Sequence, residues 1–442
     1  MPSGYDDRKR RDEQARRQRI MDGEWLEDAY QYLLERLGSK RAKQAWGGMQ
    51  MVDISTNVLR EDAESKSTLY DRPPRVRCIV DGAEVESASQ LMAQLLDGAQ
   101  WATLMQDVLA QTIAINDYCI RYEVRATDQG LQLELYPTSP ARIAYAEALS
   151  NDPRQPALVR EVWRLPDDSE GYRVWTEELT YLEHSDGSVV EGSAEPHQQG
   201  ACPWVLWHIH GRPQLWLPYF RAEVVHSTYS LAMAYTFLNH NLFEASWSQR
   251  YCINLAPMGA DTQASLDGTA AQVIEADPTS VLQLEQLDES KPGSAGQWRP
   301  GADPDVMGRA VARLHGRATL SAGGSDLAVY RKSGNAESAY AMAITREMQR
   351  EAQVAMAPRM LPSDRLLLER VALACNLALP GVFPTGADWR VRYFALPPSG
   401  EELDRLQRAV DLGALSVADL RLAIDPFLSA EELAADATLV PE

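Results

Sequence analysis

The chain has 442 residues, 45% of them hydrophobic, which is enough apolar material for two or three domains or one elongated multi-part subunit and excludes an intrinsically disordered chain. Its 63 acidic against 43 basic residues leave a formal charge of −20, which excludes a protein that grips nucleic acid through a broad basic surface but not one past which DNA slides. The five cysteines (Cys78, Cys119, Cys202, Cys252, Cys375) are odd in number, far apart and without a CxxC pair, so buried free thiols in a reduced compartment are expected and a zinc site is not.

No apolar run of signal-peptide type occupies the first twenty residues, and no stretch has membrane-spanning length, so a soluble protein without a membrane partner is expected. The first twenty residues hold seven Lys or Arg (Arg8, Lys9, Arg10, Arg11, Arg16, Arg17, Arg19) against four acids. They read as a solvated, partly helical arm, with nucleic acid or an acidic partner as the sharper alternative. Trp25, Leu26, Ala29, Tyr30, Leu33, Leu34 and Leu37 give an amphipathic helix ending at Gly38. Leu69 to Val76 is expected to be extended, because Pro73 and Pro74 forbid a helix. Ser89 to Ile115 is helical in pattern, and Tyr118 to Val124 with Leu131 to Tyr136 forms a hairpin around Asp128 to Gly130.

Strands follow at Leu158 to Leu165 and Tyr172 to Leu182, with a turn at Asp186-Gly187. Tyr145 to Glu195 carries twelve acids and four arginines, the pattern of a small antiparallel sheet with one solvated face. Gly200 to Trp207 reads as a buried strand. Tyr219 to Gln249 is a helical pattern without Gly or Pro; about thirty residues would span about 45 Å. A helix of that length needs a partner.

Tyr251 to Asp303 is a compact insertion with strand patterns at Gln272 to Glu275 and Val281 to Leu287. Between Tyr251 and Ser290 it holds seven acids (Asp261, Asp267, Glu275, Asp277, Glu285, Asp288, Glu289) and no Lys, Arg or His, which suits a protein-binding knob and makes a poor DNA ligand. The stretch the chain is organised around comes next. Val306, Ala310, Val311, Leu314 and Ala318 line one helix face, with Pro304 in its first turn. Ser321 to Asp326 breaks the pattern into a loop, and from Ala339 a second helix begins that Pro358 is expected to end. By pattern alone this is an αα-hairpin in an ordinary core. Asp364 to Leu379 is a further helix, Trp389 to Tyr393 a strand, and Ser399 to Glu442 an acidic helical tail with capping signals at Ser416 and Ser429.

Taken in order, these parts resemble the portal proteins of tailed bacteriophages and gene transfer agents. The resemblance covers nearly the whole chain and rests on collinear local matches. These are Ser67-Thr-Leu-Tyr70 before Pro73-Pro74, Asn116-Asp-Tyr-Cys119, Gly200-Ala-Cys-Pro203, Trp247-Ser-Gln-Arg-Tyr251, Ser333-Gly-Asn-Ala-Glu-Ser-Ala-Tyr340, Gly413-Ala-Leu-Ser416 and Pro426-Phe-Leu-Ser-Ala-Glu-Glu432.

The resemblance implies an α+β portal fold with a mixed α/β wing, long paired stem helices, a small α/β clip insertion and a helical crown. Residues 1–215 would form the N-terminal wing, 216–250 the first stem helix, 251–303 the clip and 304–320 the second stem helix. Residues 321–337 would form the tunnel loop, 338–398 wing helices and a strand, and 399–442 the crown. It further implies a homo-oligomeric ring, commonly a dodecamer, at one vertex of the virion capsid, assembled in the host cytoplasm. The partners implied are the large terminase and a head-tail adaptor at the clip, the major capsid protein and scaffold, and double-stranded DNA passing through without tight binding. The acids of the insertion would be the docking residues. In the loop, Gly323, Gly324, Ser325 and Asp326 would flex with the passing DNA while Arg331 and Lys332 brush its phosphates; ion pairs of those two with Asp326 or Glu337 across subunits are the alternative.

No GxxxxGK[ST], GxGxxG after a strand, GxSxG or HExxH supports an enzyme, and no cofactor is expected. His208 and His210 share one face of a strand but lack a third metal ligand at suitable spacing. Asp303 and Asp305 flank a proline at a helix start, where capping accounts for them. Another ring-forming virion protein, such as an adaptor or baseplate component, is the alternative reading, and an uncharacterised cytosolic enzyme the remote one.

Overall fold

The computed structural model describes residues 7–24, 60, 63–64, 66–148 (except 116 and 129), 155–208, 253–257, 281–284, 296–298, 305–306, 308–310, 312–313, 337–396 and 400–428. The chain divides into two compact units, one of Met1–Trp25, Asn57–Tyr229 and Thr319–Glu442, the other of Leu26–Thr56 and Ser230–Ala318. The expected amphipathic helix after Trp25, the long helix at 219–249 and the loop at 321–336 lie outside the described residues.

The first unit is mixed α and β, and among the described residues its strand pairs are antiparallel, which is compatible with an α+β chain. Helix α1 (Asp7–Asp22) packs against the Pro140–Arg142 turn, against β5 (Ile143–Ala148) and against helix α3 (Trp101–Ile115). The expectation of a solvated arm is therefore corrected: Gln14, Arg17 and Met21, three and four residues apart on one helix face, are buried. After a 3-10 turn at Thr68–Tyr70, strand β1 (Arg75–Val80) runs between β14 (Asp388–Arg392) and the short β2 (Ala83–Glu84). Extended chain thus begins at Arg75 rather than at Leu69.

The helical run expected from Ser89 is two helices, α2 (Glu86–Gly98) and α3. Gln100, two residues after Gly98, breaks it in a left-handed conformation with φ of 52°. Strands β3 (Asp117–Thr127) and β4 (Gly130–Thr138) form the expected hairpin, closed where Thr127 pairs with Gly130 at φ of 116°. Strand β10 (Trp204–His208) flanks β3.

The acidic section is a five-stranded meander of β5, β6 (Pro156–Arg164), β7 (Glu170–Trp175), β8 (Leu179–His184) and β9 (Glu195–Pro196). The single strand expected over Tyr172 to Leu182 is split, because Thr176 closes a tight turn: its N–H donates to the Leu179 carbonyl (2.9 Å) and its Oγ1 accepts from the Leu179 N–H (3.0 Å). Gly187, at φ of 89°, makes the expected turn between β8 and Val189. Cys119, Cys202, Trp204 and Leu206 from β3 and the β10 segment join Ile143, Ala146, Val159 and Trp175 of the meander in one buried cluster. Trp204, Trp207 and Trp389 are among the largest fully buried side chains, each removing on the order of 200 Å² from water, at most roughly 5 kcal/mol of driving force. Cys78, Cys119, Cys202 and Cys375 are buried and form no disulfide with one another.

The dominant helix is α4 (Glu337–Ala378), 42 residues long, or about 63 Å. It corrects the expectation that Pro358 ends one helix and Asp364 starts another, since Pro358 and Pro362 both lie inside it. Each proline removes one helical hydrogen bond, freeing the carbonyls of Val354 and Pro358. Both of those residues are exposed, so water can take the place of the missing N–H, while Ala357, Met360 and Asp364 on the other side are buried. Helix α5 (Gly400–Asp411) turns at Gly413 into α6 (Val417–Ile424), which Ser416 and Asp419 cap reciprocally as expected.

In the second unit, strand β11 (Ile253–Pro257) lies between β12 (Val281–Leu284), parallel to it, and β13 (Gly296–Trp298), antiparallel. Strand β12 falls on the expected pattern at Val281; the one expected at Gln272 to Glu275 is outside the described residues.

Candidate functional site: the buried carboxylate of the long helix

The residues singled out for the loop (Gly323, Gly324, Ser325, Asp326, Arg331, Lys332) and for docking (Asp261, Asp267, Glu275, Asp277, Glu285, Asp288, Glu289) all lie outside the described residues. What is described is their support: α4 starts at the end of the loop range, and the small sheet of β11 to β13 lies within the insertion.

About two thirds of the way along α4, Asp364 is fully buried. Tyr70 Oη donates to its Oδ2 at 2.7 Å, Tyr393 Oη to the same oxygen at 2.5 Å, and Trp207 Nε1 to Oδ1 at 2.9 Å. One carboxylate therefore ties α4 to the 3-10 turn, to β10 and to the segment leaving β14. Burial pushes the Asp364 carboxyl up to about 6, against the three donors, which hold it down. Burial, reinforced by Asp364, raises both tyrosines well above the ordinary phenol range, so they remain donors at neutral pH. The rings add edge-to-face contacts, Tyr70 with Trp101 at 5.8 Å and with Tyr393 at 5.7 Å, and Tyr393 with Phe427 at 6.0 Å.

Further bonds repeat the anchoring along the helix. Gln353 Nε2 donates to the Thr68 carbonyl at 2.7 Å and its Oε1 accepts from Leu396 N–H at 2.8 Å. Ser363 Oγ donates to the Leu206 carbonyl at 2.6 Å, and Arg350 donates to the Ala423 carbonyl on α6. Toward the C-terminal end, Gly200 closes against the helix: a Cβ there would lie 2.5 Å from Leu377 Cδ1. The arrangement offers no nucleophile with an adjacent base. Its chemistry is positioning: it holds α4 against the elements that carry Tyr70, Trp207 and Tyr393.

Other titratable clusters are local. His208 Nδ1 lies 2.6 Å from Oδ1 of the buried Asp117, which gives the histidine a role in holding β10 to the start of β3; His210 lies outside the described residues. Buried Glu161 meets Arg142 at 2.9 Å, and its carboxyl is raised by burial against the pull of that arginine. Arg121 and Arg173 lie over the Trp175 ring at 4.9 and 4.5 Å. A cavity of about 610 Å³ between α1 and α3 is lined by Asp22, Glu64, Asp71 and Asp107 with Arg60, which Glu64 holds at 2.6 Å. Among the described residues no group of three His, Cys, Asp or Glu is placed to hold a metal, and no helix is long and apolar enough to cross a membrane.

No family model and no curated protein matches the sequence. Among solved structures, the chain is similar to one from the neck of an empty gene transfer agent particle computed with C6 symmetry. The two are 13% identical, with 92% of this chain and 95% of that chain covered, at a TM-score of 0.39. It is also similar to a chain of the virion of a native gene transfer agent particle, 13% identical over 87% of this chain and 89% of that chain, at a TM-score of 0.37. Scores of this size do not establish a common fold.

Proposed function

We propose that the chain is a portal subunit. It assembles into a closed ring at one capsid vertex, through which DNA is packaged and ejected, and docks the terminase motor and later the head-tail adaptor through the insertion at 251–303. The observation that carries this reading is α4: a helix of 42 residues, pinned to the core at Asp364, whose first turn begins where the candidate tunnel loop ends. Such a lever holds one end of a loop at a set position while leaving the loop free to respond to what passes. Two further features support this reading. Leu403, Leu412, Val417 and Leu422 on and between α5 and α6 are exposed in the single chain, Leu412 at 83%. The charge of −20 suits a channel that must centre a polyanion without holding it, because each cationic contact would add salt-dependent binding.

Negative-stain electron microscopy of the purified chain, with native mass spectrometry to count subunits, tests the proposal. Closed rings of about a dozen copies with a hole wide enough for a DNA duplex are expected. A monomer or dimer at every salt concentration overturns it. Deleting residues 253–300 should abolish terminase docking and leave rings intact; loss of rings would reassign the insertion to the subunit interface.

A further inference from the structure

The outward face of the β1–β14 ribbon sets arginines against each other, Arg75 opposite Arg392 and Arg77 opposite Arg390. Like charges in that register destabilise a strand pair unless anions intervene. Glu84 lies 3.8 Å from Arg75 and 3.6 Å from Arg77, Asp388 3.0 Å from Arg390, and Asp425 2.9 Å from Arg392. Arg365 of α4 joins them, and Arg77, Arg365, Arg390, Arg392, Asp388 and Phe427 line a cavity of about 470 Å³. Arg365 has no carboxylate partner among the described residues, and its enclosed Nε has no acceptor. A positive cavity in a chain of charge −20 is not a by-product of composition.

We propose that this cavity binds a phosphate group. A carboxylate offers two oxygens in one plane, and the resident carboxylates pair with arginines of the two strands. A tetrahedral oxyanion presents acceptors in several directions at once, which suits guanidiniums that converge from two strands and a helix. This inference does not depend on ring formation.

The test is isothermal titration of the full-length protein with inorganic phosphate and with pyrophosphate, at ionic strength held constant with chloride. Saturable binding is expected, weakened about ten- to a hundredfold by Arg365→Gln, since hydrogen bonds to charged groups carry effects of that size. Without the anion, the Arg365→Gln protein should melt no lower than the parent, because a cation lacking a partner has been removed. Arg390→Gln, on the partly exposed strand, should weaken binding in the same way and guards against misfolding of the first variant. Three outcomes overturn the proposal: no heat with either anion, equal affinity for citrate or a glutamate-rich peptide, or unchanged binding by both variants. A DNA duplex that displaces pyrophosphate would assign the site to backbone phosphate; pyrophosphate binding unaffected by duplex assigns it to a free phosphate compound.

Discussion

Asp364 shows how far one side chain can order a large unit. Replacing it with Ala would take the acceptor from two phenols and an indole N–H, and only one phenol could donate to the other instead; at about 1–3 kcal/mol for each orphaned donor, a loss of at least about 2 kcal/mol is expected by urea denaturation. Its pH dependence has a definite sign. The folded-state value of about 6 lies above the ordinary 3.8, so the folded form holds the proton more tightly. The associated stabilisation is complete below about pH 4 and is lost as pH rises through about 6, roughly 3 kcal/mol in all. Asp364→Asn should flatten that segment of the stability curve; a slope equal to that of the parent would assign it to other groups. At Gly200 the φ of 73° and the approach of Leu377 act together, so Gly200→Ala should cost about 1–3 kcal/mol, read as a lowered melting midpoint.

At the scale of elements, the prolines of α4 make the sharpest prediction. The residues that carry the freed carbonyls, Val354 and Pro358, are exposed, and Pro358→Ala should restore the hydrogen bond to Val354 and raise the melting midpoint, with up to about 3 kcal/mol available. A lowered midpoint would mean that the packing of Ala357 and Met360 depends on the proline between them. The same stretch shows why some of the fold was legible and some was not. The Asp128 to Gly130 turn and the Ser416–Asp419 cap are local, with all their chemistry inside a few residues. In α4, Pro358 reads as a helix end and the apolar run from Asp364 as a new helix. Ser363 instead bonds a carbonyl 157 positions away, and Asp364 a tyrosine 294 positions away. No window of sequence contains those partners. The polar handles of Tyr70, Trp207 and Tyr393 were the available signal, and nothing local links them. Gln100, likewise, takes a left-handed conformation that its residue type does not announce.

For the whole molecule, charge is the controlling variable. Copies carrying −20 each repel across any ring contact, and that repulsion is screened within about 10 Å at ~0.1 M salt. If apolar surfaces such as that around Leu412 drive assembly, rings should become more stable as salt rises from low to physiological strength, by sedimentation or native mass spectrometry. Rings that dissolve as salt rises would place the contact on ion pairs. Affinity for duplex DNA should be weak at physiological salt throughout, measured by fluorescence anisotropy; submicromolar binding there would contradict a channel that lets DNA slide.

The four buried cysteines give this architecture its own clock. Cys78 lies on β1, Cys119 on β3, Cys202 just before β10 and Cys375 near the end of α4, and burial drives the last thiol up to about 12. Since alkylation needs an exposed thiolate, each sulfur reacts only when its own element opens. With Cys252→Ser in place, the order in which an alkylating reagent reaches the four would rank the sheets and the long helix by the free energy of their local opening.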